Sequence, residues 1–187
     1  MARYEQIKTL KEIVKSKWAT IDHSKDIVLV CGDFNQNATM PLNASQLDFL
    51  SEIAKVERYK PLLPLFCDEY GSMLNALKNK ADWQIVDCLR TAKSMSPPTY
   101  ADISFDSEGE AISSTPLLYD ADQEKTQQAL DYIFWLRDTK HKHSFEVEIE
   151  ETQLEKLPGV GLLCRNCSDH FGISTTFSAK SRPLKNE

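Results

Sequence analysis

Tyr4, Ile7, Leu10, Val14 and Trp18 follow one another at three- and four-residue steps, with polar and charged residues between them. That spacing puts all five on one face and predicts an amphipathic helix over residues 3–18. The next apolar run, "IVLVC" from Ile27 to Cys31, is unbroken and too short for a helix, so it predicts a buried strand with Cys31 as a core thiol. It runs into "GDFN", Gly32 to Asn35, where turn-forming residues stop the strand. A second helix is expected in "PLNASQLDFLSEIAKV", with Asn43 or Ser45 as N-cap and Leu47, Leu50 and Ile53 as its buried stripe. A third is expected in "EYGSMLNALKNK".

Beyond it the pattern changes period. "DWQIVDCLR" is short and apolar with no strict repeat, and fits a strand or a helix equally. The stretch from Ser94 to Asp122, with "SPP", Gly109 and many acids, reads as a long irregular loop holding at most one strand. "ALDYIFWL" and "HSFEVEIEE" then read as strands, the second alternating at Phe145, Val147 and Ile149 with its glutamates on a solvated face. "LPGVGLLCRNC" is a loop and "FGISTTF" a last strand with Ile173, Thr175 and Phe177 on one face. Trp83, Phe134 and Trp135 are expected in the core. The order of helix, strand, helices and then strands predicts an α/β (α+β) domain in which helices cover largely antiparallel sheets.

Composition narrows the function classes. The 187 residues make one domain with a sizeable core. No apolar run approaches the roughly 20 residues of a membrane span, and the first residues are too polar for a signal peptide. With 28 acids against 22 bases, the net charge of −6 disfavours a broad nucleic-acid-wrapping face. Five cysteines, an odd number scattered along the chain, point to reduced thiols and a cytoplasmic compartment.

Three strand ends carry candidate chemistry: "GDFN", "LDYIF" at Leu130 to Phe134, and "CSDHFGI" at Cys167 to Ile173. Asp131 heads an otherwise apolar strand, where a carboxylate without a partner is costly. A histidine is its natural partner, because accepting from one ring nitrogen fixes the tautomer that frees the other, and His170 is the candidate. Asp33 and Asp169 offer hard carboxylate oxygens of the kind magnesium takes, and Asn35 offers an amide donor for a phosphate oxygen.

Together, "VLVCGDFN", "ALDYIF" and "CSDHFGI" resemble the last three signature blocks of the endonuclease/exonuclease/phosphatase superfamily, whose fold is that of deoxyribonuclease. Arg3, Gln6 and Leu10 fall where members carry an R-x-x-Q-x-x-x-L helix, and "SPPTY" resembles their threonine-containing segment between the second and third blocks. The resemblance implies a four-layer α/β/β/α sandwich and metal-assisted hydrolysis of a phosphoester with magnesium, or manganese in its place. It implies that Asp33 orients or deprotonates the attacking water, that Asn35 binds the scissile phosphate and that Asp131 orients His170. Asp169 would sit by the metal, and His170 would act as base or phosphate ligand; either Asp33 or His170 could be the general base. The blocks matched are those of the C-terminal half of the catalytic domain. An asparagine and a metal-binding glutamate on earlier strands, and a histidine before the opening helix, have no counterpart here. The expectation is therefore weak metal binding by this chain alone, with the N-terminal half of such a domain as a partner.

The strand "SFE" and the long loop between the Asp131 and Asp169 blocks look most like neutral sphingomyelinases. That favours a choline sphingolipid as substrate and a peripheral place at a membrane. A nuclease of the same superfamily, of the AP endonuclease or deadenylase kind acting on nucleic acid, is the alternative, and a non-catalytic interaction module is the reading from another class. "CRNC" at Cys164 to Cys167 has the spacing of a zinc half-site to which His141 and His143 could add nitrogens, but no second pair completes it, so a loop of reduced thiols is the default. His23 and His141 read as solvated loop residues.

Overall fold

The computed structural model describes residues 2–38, 44–94, 97, 99–100, 103–105, 111–113, 129–141, 143–155 and 170–181. Helix α1 spans Ala2–Trp18, with Glu5 in its first turn and Lys15 and Lys17 in its last, signs that suit the helix dipole. Ile7, Val14 and Trp18 of its predicted stripe are buried. Strand β1 is Val28–Asp33. Helix α2 (Ala44–Ala54) leads through a 3-10 turn (Glu57–Leu62) to the short α3 (Leu63–Cys67) and to α4 (Glu69–Leu77). Asp68 caps α4 by accepting the Gly71 N–H at 2.7 Å. A Cβ on Gly71 would meet that carboxylate at 2.0 Å, so the cap needs glycine there.

"DWQIVDCLR" is both of the things its pattern allowed. Strand β2 (Trp83–Asp87) ends at Asp87, whose carboxylate accepts the Arg90 N–H at 3.0 Å and starts helix α5 (Cys88–Lys93). Two short strands follow in the long loop, β3 (Ile103–Phe105) and β4 (Ala111–Ser113), one more than expected and paired with each other. Strands β5 (Asp131–Asp138), β6 (Phe145–Glu155) and β7 (Gly172–Ser181) complete the chain.

The main sheet has the order β1-β5-β2 and is antiparallel throughout, with Val28 opposite Leu136 and Asp33 opposite Asp131. Because side chains alternate across a sheet, Val30, Tyr132, Phe134 and Leu136 share one face. That face packs against Ile7, Val14 and Trp18 of α1 and Met73, Ala76 and Leu77 of α4. Trp135 points to the other face, where the antiparallel β6–β7 ribbon lies across it and Phe177 meets its ring edge-on at 5.8 Å. The mixture of helices with antiparallel sheets is therefore the α+β class expected.

Two apolar residues are not where their pattern put them. Cys31 is exposed: β1 is an edge strand of its sheet, and among the described residues nothing covers the face on which Leu29 and Cys31 lie. Leu47 is 54% exposed, so the stripe of α2 is half-covered at Leu50 and Ile53 and open at its start. No helix among the described residues is long and apolar enough to cross a membrane.

Candidate active site

The strand register brings the first two predicted blocks together. Asp33, the last residue of β1, stands opposite Asp131, the first of β5, so both carboxylates sit at one end of the sheet and on one face. The chain reaches Asp33 through Gly32 at φ 145°, a conformation open to glycine, and leaves it through Asn35 at φ 51°. Asparagine tolerates that left-handed geometry because its short polar side chain bonds locally. Here the bonds run to Asp33, whose Oδ1 accepts the Asn35 N–H at 2.7 Å and whose Oδ2 accepts Asn35 Nδ2–H at 3.0 Å. Arg3 in the first turn of α1 donates to the Asn35 carbonyl at 2.8 Å, fixing the turn from the helix side. A groove between α1 and β1 is lined by Arg3, Gln6, Leu10, Cys31 and Asp33.

The third block arrives from the ribbon. His170 forms a bridge with Tyr100 just before β7, and its Nδ1 lies 2.9 Å from Asp131 Oδ2. Both side chains are partly buried, the carboxylate 19% and the imidazole 30% exposed, so they are sheltered yet reachable from solvent. An ionised carboxylate can only accept, so Nδ1 donates and Nε2 carries the lone pair. Asp33, Asn35, Asp131 and His170 thus gather at one sheet end; Asp169, Cys164 and Cys167 lie outside the described residues.

Beneath the corner is a buried polar scaffold. Thr99 is fully buried, and its Oγ1 accepts the N–H groups of both Leu130 and Asp131 at 2.9 Å. Its carbonyl accepts the Phe171 N–H at 2.7 Å, so one residue ties the second block to the third. "SPPTY" was the sequence signal for it. The far side was not foreseen: Glu69 accepts the Asn37 N–H at 2.9 Å, Asn37 Oδ1 accepts the Ala129 N–H at 3.0 Å, and the Tyr132 hydroxyl donates to the carbonyls of Gln36 and Ala129. Burial holds the Glu69 carboxyl above its ordinary range and pushes the Tyr132 phenol up.

No family model, curated protein or solved structure matches the chain. The site therefore has to be read from its own geometry.

Magnesium asks for several oxygen ligands. Both oxygens of Asp33 are engaged by Asn35, Asp131 Oδ2 is engaged by His170, and the described residues bring no third ligand atom to these carboxylates. The described part of the corner thus offers magnesium two carboxylates, and water or further residues would have to complete its coordination. The group of three ligand-bearing side chains found among the described residues lies elsewhere, at His23, Asp138 and His141, two of which the pattern had read as solvated loop residues.

Proposed function

We propose that the chain is part of a phosphodiester hydrolase of the endonuclease/exonuclease/phosphatase kind. The observation that carries the proposal is the 2.9 Å contact between His170 Nδ1 and Asp131 Oδ2 beside the Asp33–Asn35 turn. An imidazole oriented through Nδ1 presents Nε2 as the nitrogen that can take a proton from water or bond a phosphate oxygen. Asn35 Nδ2 gives one hydrogen to Asp33 and keeps another for a phosphoryl oxygen. Asp33, held by the same amide, is the second candidate for orienting or deprotonating the water. Magnesium is part of this proposal as a requirement of the reaction class, with Asp169 as the residue that would sit beside it.

A choline sphingolipid is the substrate proposed. The chain carries a net charge of −6, part of it on the exposed face of β6 at Glu146, Glu148 and Glu150, which repels a polyanionic nucleic acid more than a zwitterionic head group.

The test is release of phosphocholine from sphingomyelin vesicles, with adenylated and abasic nucleic acid in parallel, with magnesium and with a chelator. Asp131→Asn and His170→Ala should each lower kcat/KM about a hundred- to ten-thousand-fold with little change in denaturant midpoint. Cleavage confined to nucleic acid would favour the nuclease. Wild type and variants indistinguishable on every substrate would leave the interaction module as the better reading.

A further inference from the structure

Strand β5 has a second charged end. Asp138 closes it, seven residues and so about 23 Å from Asp131. Its carboxylate is almost wholly buried, with 3% of the side chain exposed. Oδ1 accepts the backbone N–H groups of Lys140 at 2.6 Å and His141 at 2.7 Å. Oδ2 faces two imidazoles at once: His23 Nδ1 at 2.7 Å and His141 Nδ1 at 3.0 Å. The two rings stack with centroids 5.0 Å apart and planes 21° apart, and the His23 ring also lies 5.0 Å from that of Trp18. Alongside, the Ser144 N–H and hydroxyl both donate to the Ser24 carbonyl at 2.8 Å, so the turn after α1 already touches the turn after β5.

A purely hydrogen-bonded clamp accounts for only half of this. His141 Nδ1 is placed to donate to Oδ2, but the 2.7 Å approach of His23 Nδ1 is not aligned with its ring N–H, and among the described residues that buried nitrogen makes no hydrogen bond. Buried polar atoms normally have a partner. A cation between the three would serve all of them, and the rest of the arrangement suits one. The carboxylate is oriented by two backbone donors on its other oxygen, as the ligands of metal sites usually are. His141 is 57% exposed, which gives an entry path and leaves one position open to water.

The donor set narrows the metal to a first-row transition ion, and zinc is the one proposed. Two imidazole nitrogens and one carboxylate oxygen suit zinc, which takes three protein ligands and a water at bonds of about 2.0–2.2 Å. Magnesium and calcium prefer oxygen alone. Tetrahedral geometry at those bond lengths sets ligand atoms about 3.3 Å apart. The three ligand atoms lie within 4.8 Å of one another, and the 2.7 Å and 3.0 Å contacts of His23 and His141 with Oδ2 would each have to open by a few tenths of an ångström to reach that spacing.

We propose that His23, Asp138 and His141 form a zinc site that fastens the turn after α1 to the turn after β5. It is separate from the Asp131–His170 corner in place and in ligand chemistry.

The experiment is calorimetric titration of the full reduced chain with zinc, in a Cys164→Ser, Cys167→Ser background that removes thiolate competition. One zinc per chain should bind, and His141→Ala and His23→Gln should each weaken it at least tenfold, the scale on which even supporting residues of metal sites act. Cobalt loaded in its place should show visible d–d bands without thiolate charge-transfer absorption, a readout that needs no variant and so survives if His23→Gln does not fold. Asp131→Asn and His170→Ala should bind zinc as wild type does, which keeps this test independent of the hydrolase proposal. Loss of binding with the cysteine pair, affinity unchanged in both histidine variants, or absence of binding would each overturn it.

Discussion

Removing the hydroxyl of Thr99 tests whether that residue holds the candidate corner together. Thr99→Val keeps the branched shape and leaves two buried N–H groups, those of Leu130 and Asp131, without the oxygen they share at 2.9 Å. An orphaned buried donor costs about 1–3 kcal/mol, and two that shared one acceptor should together cost about 2–4 kcal/mol. Thr99→Ser keeps the acceptor and loses one methyl group, at about 1 kcal/mol. Urea unfolding followed by tryptophan fluorescence separates the two, since the valine variant should lower the midpoint far more than the serine variant at an unchanged slope. Because Asp131 hangs from one of these bonds, the valine variant should also lose hydrolytic activity that the serine variant retains. Serine as harmful as valine, or valine within about 0.5 kcal/mol of wild type, would mean that shape and not the shared acceptor matters at this position.

Glu69 is raised above its ordinary value of 4.5 mainly by burial, with the Asn37 N–H and the Arg3 charge opposing. A carboxyl raised on folding favours the folded state below its unfolded pKa and loses that contribution as pH rises through the folded value. The stability of wild type relative to Glu69→Gln should therefore fall from about pH 4.5 upward, read as the difference in urea midpoint across pH. Burial pushes the Cys88 thiol up to about 12 and also raises exposed Cys31. Iodoacetamide followed by peptide mapping should label Cys67 and, more slowly, Cys31 in the native state, and Cys88 only on unfolding. Phe177→Ala removes the edge-on contact with Trp135 and should cost about 1–3 kcal/mol in urea unfolding.

Sequence showed what is periodic or local, and little that depends on which surface meets which. The helix over residues 3–18 and the alternation at Phe145, Val147 and Ile149 could be read because each repeats its own burial rule several times. "DWQIVDCLR" could not be resolved because a five-residue strand hands over to a helix at Asp87, leaving neither period room to repeat. Cys31 and Leu47 follow the pattern of core residues, yet β1 is an edge strand and α2 has few neighbours. Nothing local encodes either fact. The Asp131–His170 contact was legible because a carboxylate at the head of an apolar strand demands a partner, and the chain offers few histidines. His141 is the exposed loop residue its pattern suggested, but His23 is more sheltered than expected: Asp138 sits at a strand end, where an acid looks solvated, and its burial appears only when the two turns close over it.

The two ends of β5 depend on opposite faces of the same strand. Residues 131 and 138 differ by an odd number, so Asp131 projects to the ribbon side, with Trp135, and Asp138 to the helix side, with Phe134 and Leu136. Each acid accordingly meets the histidine its own face supplies. On the ribbon side, β7 begins at Gly172, two residues after His170, so the packing of Phe177 on Trp135 that seats the strand also sets the imidazole over Asp131. On the helix side, the buried ring of Trp18 at the end of α1 lies against His23 beside Asp138. Because the two acids draw on opposite faces of β5, a core substitution on one face should disturb one acid–histidine cluster and spare the other.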